Sequence, residues 1–309
     1  MKKVSIVRND FYLSKFVFDG NSHEKHTIVS NFKSKTKLAA LKRFYIIFRS
    51  ILSSHKEDKE SLLIYFAMED ILALDHYSKN HPVEKALWLW NPVSSMSAKR
   101  RVFLLWYCKV NKIKIWTFDK ADAAEFGFQY HPQVLRFLNS DEEENLTFNA
   151  EKHRVFFSGV DKGRLYFLKN VQQELTNMDI EFDCHLIKDK RKSYKKEELT
   201  LFSESYISYD EYLLRASKAT CLLEVSQGEQ EGLTTRALEA LFLNKKLLTK
   251  NKDIVNYDFY HEHNVYVLGL DTRSIRDFLN VPLVTIADEI KKQYTIEHLL
   301  TSIMQEGVK

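Results

Sequence analysis

The sequence predicts an α/β protein of two doubly wound parallel domains facing a cleft, with a C-terminal helix packing across them. Three observations carry this expectation. A chain of 309 residues is long for one core. Strand-like and helix-like runs alternate along its whole length, the pattern of βαβ units on a parallel sheet. Charge also changes sign part-way: residues 1–140 hold 23 Lys+Arg against 13 Asp+Glu, and residues 141–309 hold 23 against 29. The composition, 44% hydrophobic and 28% charged, has enough apolar surface to fold. Eight Gly and four Pro are too few for a turn-rich all-β protein or low-complexity tails, so the 40 aromatics do the packing.

In the first half, VSIVRN (Val4 to Asn9) and HTIVSNF (His26 to Phe32) read as strands. KLAALKRFYIIFRSIL (Lys37 to Leu52) has apolar residues three or four apart, at Leu38, Leu41, Tyr45, Phe48 and Leu52, and reads as a helix. A strand over Ser61 to Ala67, a helix over Glu69 to Lys79, a strand over Lys85 to Pro92, a helix over Ser97 to Val110 and a strand over Lys114 to Phe118 follow. The acidic run SDEEEN (Ser140 to Asn145) lacks apolar periodicity and separates the two charge regimes, which places the linker at 141–150 and the first domain at 1–140.

A second series then starts. RVFFSGVDKGR (Arg154 to Arg164) is a strand with an abrupt turn, followed by a helix over Leu165 to Met178 and a strand over Glu181 to Ile187. The basic stretch Lys188 to Glu198 reads as an exposed loop. ESYISY leads into a helix over Asp210 to Lys218, a buried strand over Thr220 to Ser226, the loop QGEQE and a helix over Gly232 to Asn244. The strand Lys245 to Asn251 and the segment Val265 to Asp271 complete a domain at 151–285. Residues 286–309 read as a terminal helix or pair.

Several function classes lose ground on the same evidence. Cys108, Cys184 and Cys221 have no metal-ligand spacing and sit in apolar runs, as buried reduced thiols do. Met1-Lys2-Lys3 leads into VSIVRNDF with no apolar signal region, so a cytoplasmic protein is expected. The longest apolar stretches, such as VFLLWYC, fall short of the roughly 18 to 20 residues a spanning helix needs. No helix-turn-helix, zinc-finger or RNP signature accompanies the basic first half, which speaks against nucleic acid. Its helices at 37–52 and 97–110 mix Lys/Arg with large aromatics. That suits a peripheral position on anionic lipid at the inner face of the membrane, and equally a core of aromatics with solvated lysines.

In open parallel sheets, ligands bind beyond the carboxyl ends of the strands, where helix N-terminal N–H groups meet anions. Two loops fit. SGVDKGR puts Gly159, Lys162, Gly163 and Arg164 between a strand and a helix, which suits a phosphate and also an ordinary turn. QGEQEGLTTRALEA puts Gly232, Leu233, Thr234 and Thr235 at a helix start, with Glu231 and Glu239 eight residues apart.

EGLTTRALE, KKLLTKN and YDFYHEHNVYVL together resemble the donor-binding half of GT-B fold retaining glycosyltransferases, in particular small bacterial enzymes of lipopolysaccharide and capsule assembly. The resemblance covers about residues 154–268 and is architectural before that. It implies two Rossmann-like domains, with the first holding a glycolipid or oligosaccharide acceptor and the second a nucleotide-sugar donor, a UDP-sugar before others. It implies retaining transfer through an E-x(7)-E motif. Glu231 would contact the donor sugar and Glu239 the ribose, Lys162 and Arg164 would neutralise the diphosphate, and Tyr206, Ile207 and Tyr209 would lie near the base. The QGEQE loop is more acidic than the family pattern. With no Asp-x-Asp signature, no metal and no further cofactor are expected.

Two weaker signals remain. His131-Pro132 resembles the His-Pro pair of bacterial sialyltransferases, which would imply a CMP-sugar donor, though it precedes the linker. Asn91 ends a strand where an acceptor could lie. A non-catalytic nucleotide-binding partner with the same fold is the alternative from another class.

Overall fold

The computed structural model describes residues 3–9, 11–18, 26–29, 39–52, 58–78, 83–146, 152–225 and 232–306. The chain divides into two compact units, residues 1–134 with 295–309, and residues 135–294.

Unit 1 is built on a parallel sheet of six strands: β1 (Lys3–Asn9), β2 (His26–Val29), β3 (Asp58–Phe66), β4 (Val83–Trp88), β5 (Lys114–Thr117) and β6 (Gln129–Tyr130). Their order is β2-β1-β3-β4-β5-β6, with the in-register partners Ile6↔Ile64 and Phe66↔Trp88. Its helices are α1 (Tyr12–Phe18), α2 (Ala39–Leu52), α3 (Ile71–Ser78), α4 (Ala98–Val110) and α5 (Lys120–Phe126). Leu63, Tyr65 and Leu87 of the sheet pack with Ile46 and Ile47 of α2, Leu74 of α3 and Leu104 and Tyr107 of α4. The central strands are covered on both faces, which is why they read as near-continuous apolar runs. The helices α1 and α5 and the two-residue β6 escape the sequence reading because each is too short to show a period.

Unit 2 opens with α6 (Ser140–Asn145) and carries five parallel strands: β7 (Arg154–Val160), β8 (Glu181–Ile187), β9 (Cys221–Glu224), β10 (Lys246–Thr249) and β11 (Val265–Val267). Their order is β11-β10-β9-β7-β8. The helices α7 (Leu165–Asn177), α8 (Tyr209–Lys218), α9 (Thr235–Phe242), α10 (Ile275–Asn280) and α11 (Asp288–Lys292) belong to this unit. Val155, Phe157, Leu223 and Leu248 of the sheet pack with Leu168, Val171 and Leu175 of α7 and Phe278 of α10.

The expected linker is redrawn. SDEEEN is the helix α6, started by a capping box in which the Asn139 side chain accepts from Glu142 N–H and the Glu142 carboxylate accepts from Asn139 N–H. Arg136 grips the same carboxylate at 2.6 and 2.7 Å, so the run belongs to unit 2. The division falls between Val134 and Leu135 and again between Tyr294 and Thr295. The expected tail at 286–309 is therefore shared. Its first helix, α11, stays with unit 2, and its second, α12 (Ile296–Glu306), returns to unit 1. Ile296, Leu299, Leu300 and Ile303 of α12 are buried. Among the described residues, no helix is long and apolar enough to cross a membrane.

Candidate functional site

Counted within unit 2, the strand order is 2-1-3-4-5 read from β8, so the direction of winding reverses between β7 and β9. A crevice opens at such a switch point beyond the carboxyl ends of the strands. Both loops singled out in the sequence start there, one after β7 and one after β9. Glu231 and the rest of 226–231 lie outside the described residues.

The turn after β7 carries its own anion. Asp161, 2% exposed, accepts from Leu165 N–H at 2.7 Å and from the Gly163 N–H, the groups a phosphate at α7 would use. The Tyr194 hydroxyl at 3.0 Å and Lys192 Nζ at 3.3 Å reach the other carboxylate oxygen. Burial alone would raise the Asp161 carboxyl, but these donors outweigh it and hold it below the usual range. Lys162 and Gly163 take positive φ, 41° and 94°, and complete the tight turn, with the Lys162 side chain exposed. Partial burial and the charges of Arg164 and Arg191 lower the Lys162 ammonium.

Arg164 acts as a brace in this geometry. Its guanidinium donates to the carbonyls of Val160, of Asp161 at 3.2 Å and of Val225 at 2.9 Å, tying the ends of β7 and β9 together across the switch point. Gly159 makes the approach possible, since a Cβ there would stand 3.1 Å from Arg164 Nη2. Desolvation, with Arg236 adding repulsion, pulls the Arg164 group down to about 10.

The loop after β9 leads into α9. The helix starts at Thr235 rather than at Gly232, because the Thr234 hydroxyl caps it by accepting from Ala237 N–H. Gly232 and Leu233 form the buried lead-in, and Thr235 is half-buried. Thr234 is fixed from below by Glu224, the last residue of β9. The Thr234 and Thr249 hydroxyls each donate to one oxygen of this carboxyl, and Thr249 also accepts from Asn251 N–H at 2.9 Å. Glu224 and Thr249 are in-register partners on adjacent strands, which puts both side chains on one face of the sheet. Glu224 is 2% exposed, and burial raises its carboxyl against the pull of the two hydroxyls.

Glu239 lies one turn inside α9 and is 3% exposed. The Tyr209 and Tyr212 hydroxyls donate to its two oxygens at 2.9 and 2.8 Å, and Arg236 donates to one of them at 2.8 Å. Burial raises this carboxyl, with Arg236 opposing. Arg236 also donates to the Ser158 carbonyl near the end of β7, at 3.1 Å, and lies over the Tyr212 ring at 4.2 Å. Glu239 thus fixes Tyr209 and Arg236 rather than facing open solvent.

Tyr206 is 65% exposed and Ile207 half-buried on the loop entering α8, and Tyr209, also half-buried, is the first residue of that helix. His185 of β8 pins that loop. Its Nδ1 accepts from Arg215 at 3.1 Å, which leaves Nε2–H to donate to the Ser205 carbonyl at 2.9 Å. The stretch expected as an exposed basic loop is anchored too, because Asp189 and Glu198 within it are buried.

The two unit 1 candidates are held internally. Glu69, 6% exposed, accepts from Trp90 N–H and Asn91 N–H at 2.8 and 2.7 Å and from the Asn91 amide at 3.0 Å. His131 is 3% exposed. Its Nδ1–H donates to the Pro132 carbonyl at 2.7 Å, and its Nε2 accepts from His298 of α12 at 2.8 Å. Desolvation lowers its imidazole to about 4, so it is neutral at pH 7.

Sequence reasoning overlooked Glu224, Asp161, Tyr212 and Arg236. A carboxylate ending an otherwise apolar strand was a readable signal for Glu224, and the i,i+3 spacing to Glu239 was one for Arg236.

No family model matches the chain, and no curated protein matches it. Among solved structures, it is similar to a sucrose-phosphate synthase from Thermosynechococcus elongatus, at TM-score 0.56 and 10% identity over 99% of this chain and 98% of that one. It is also similar to a UDP-GlcNAc 2-epimerase from Methanocaldococcus jannaschii, at TM-score 0.52 and 11% identity over 98% and 100%. At these identities the likeness shows the fold: two Rossmann-like units, the GT-B fold.

Proposed function

We propose that the chain is a glycosyltransferase that moves a sugar from a nucleotide-sugar donor, a UDP-sugar first among them, to a lipopolysaccharide, capsule or other lipid-linked glycan acceptor. One observation carries the reading. The N-terminus of α9, capped by Thr234 and braced by Glu224, opens at the β7/β9 switch point of a unit whose β8 side presents the exposed Tyr206 ring.

The chemistry follows from that placement. Breaking the sugar–phosphate bond leaves negative charge on the diphosphate, and we assign the first-turn N–H groups of α9 and the Lys162 ammonium to meet it. The turn before α7 is filled by Asp161, so the phosphates belong at α9. Arg164 ties the ends of β7 and β9 together at the switch point, and Glu239 fixes Tyr209 and Arg236. Retention rests on the E-x(7)-E spacing of Glu231 and Glu239, and metal independence rests on cations and helix N–H groups doing a metal's work. The acceptor is assigned to the basic first unit. The names of the two similar structures, which concern sucrose phosphate and UDP-GlcNAc, support sugar chemistry.

A second reading, epimerisation of a UDP-sugar with no acceptor, is favoured by the full-length likeness to the UDP-GlcNAc 2-epimerase. The CMP-sugar reading through His131 loses support, because both ring nitrogens are engaged within unit 1.

Product analysis by NMR separates these outcomes. UDP-sugars incubated with a bacterial glycolipid extract are expected to give a glycoside of retained anomeric configuration, at a rate EDTA does not change. A new UDP-sugar epimer formed without acceptor would select the second reading. No product from a folded protein that still binds nucleotide would select the non-catalytic partner.

A further inference from the structure

Helix α2 is turned inside out. Leu41, Phe44, Tyr45, Phe48 and Ile51 share one face by their spacing of three or four residues, and each is more than half exposed. Its two arginines point the other way: Arg43 and Arg49 reach Asp70 and Asp75, beside and within α3, at 3.5 and 2.5 Å, while Lys42 is exposed. Among the described side chains of α2, Ile46 and Ile47 serve the core. In a helix that merely covers a sheet, the opposite arrangement is expected.

The face continues onto α4. Phe44 meets Phe103 edge-on at 4.9 Å and Trp106 at 6.5 Å, and Val102 and Trp106 are 60% and 40% exposed. Lys99 and Lys109 flank these two at helical spacing. Together α2 and α4 hold seven Lys/Arg and no Asp/Glu; Arg43, Arg49 and Arg100 pair with Asp70, Asp75 and Glu69, and Lys42, Lys99 and Lys109 are exposed.

We propose that this face docks on the surface of a bilayer containing anionic lipid. Aromatic and aliphatic side chains enter the boundary between headgroups and acyl chains, and the surrounding cations meet lipid phosphates. Charge decides the occupant. A two-fold contact with a second copy would set the exposed Lys42, Lys99 and Lys109 around this face against their own copies, which like-charge repulsion opposes. The proposal does not depend on the reading of the unit 2 site.

Flotation of the full chain with phosphatidylcholine vesicles, with and without phosphatidylglycerol, tests it. The protein is expected to float only with phosphatidylglycerol present, and less as salt rises. Phe48→Ser and Tyr45→Ser, both at exposed positions, should each weaken partitioning by about tenfold with no change in melting temperature. Lys99→Glu with Lys109→Glu should weaken it as well. Equal flotation on both vesicle types, no flotation, or variants that bind like the parent would overturn the proposal. So would a dimer in sedimentation that Phe48→Ser disperses, which would give the face to a second copy.

Discussion

Glu224 ends a strand that is buried on both faces, and its partners among the described residues are two threonine hydroxyls. Hydroxyls stabilise a carboxylate less than a cation does, so desolvation wins and the folded carboxyl holds its proton to a higher pH than the unfolded one. The sign of the pH effect follows. Between the unfolded value of about 4.3 and the raised folded value, the folded state binds more protons, so stability falls as pH rises through that window and stays lower above it. Glu224→Gln keeps the shape and removes the titration. The variant is expected to be at least as stable as the parent at pH 7, with a shallower loss of stability above pH 4 in urea melts followed across pH. A destabilisation at pH 7 of more than about 2 kcal/mol would instead mean an ionised carboxylate with a charged partner. Glu239 differs in kind, because Arg236 stands beside it and two tyrosines fix it.

At the scale of elements, α9 depends on its first residues. Thr234 both caps the helix and donates to Glu224, so one hydroxyl couples the helix start to the ends of β9 and β10. Thr234→Ala removes both links and is expected to cost about 1 kcal/mol from the cap alone, read in a denaturant melt. It should also weaken nucleotide binding, because the loose N-terminus no longer presents its N–H groups in one place. Unchanged stability and affinity would remove α9 from the site. The sequence reading found this helix and misplaced its start. Gly232 punctuates the chain, but a threonine hydroxyl defines the first turn. The same limit explains the linker: an acidic run with no apolar face looks like a spacer, yet Asn139, Glu142 and Arg136 make it a capped helix. Long periodic segments such as α4 and α7 were legible because their apolar faces repeat. Short elements such as α1, α5 and β6 carry no period to read.

For the molecule as a whole, the α/β alternation on two parallel sheets was legible from strand and helix runs alone, while the path of the chain was not. The return of α12 to unit 1 is a tertiary fact, made by its buried Ile296, Leu299, Leu300 and Ile303 and by the His131–His298 contact, and no local signal announces it. The site was legible in outline for the same reason that it exists. Ligand loops in doubly wound sheets follow the strands on either side of the switch point, and both glycine-bearing loops were visible there. Asp161 and Arg164 were harder, because composition cannot tell a basic turn that binds phosphate from one that satisfies its own backbone. The proposed nucleotide donor site lies on unit 2, at the α9 N-terminus and the Tyr206 ring. Calorimetric titration of the full chain with UDP, GDP, CMP and dTDP tests it most directly, with Tyr206→Ala as the control. One nucleotide is expected to bind, and Tyr206→Ala should weaken it by about tenfold, the worth of one stacking contact, without lowering the melting temperature. Binding of none of the four by the folded protein, or equal binding by Tyr206→Ala, would contradict the account.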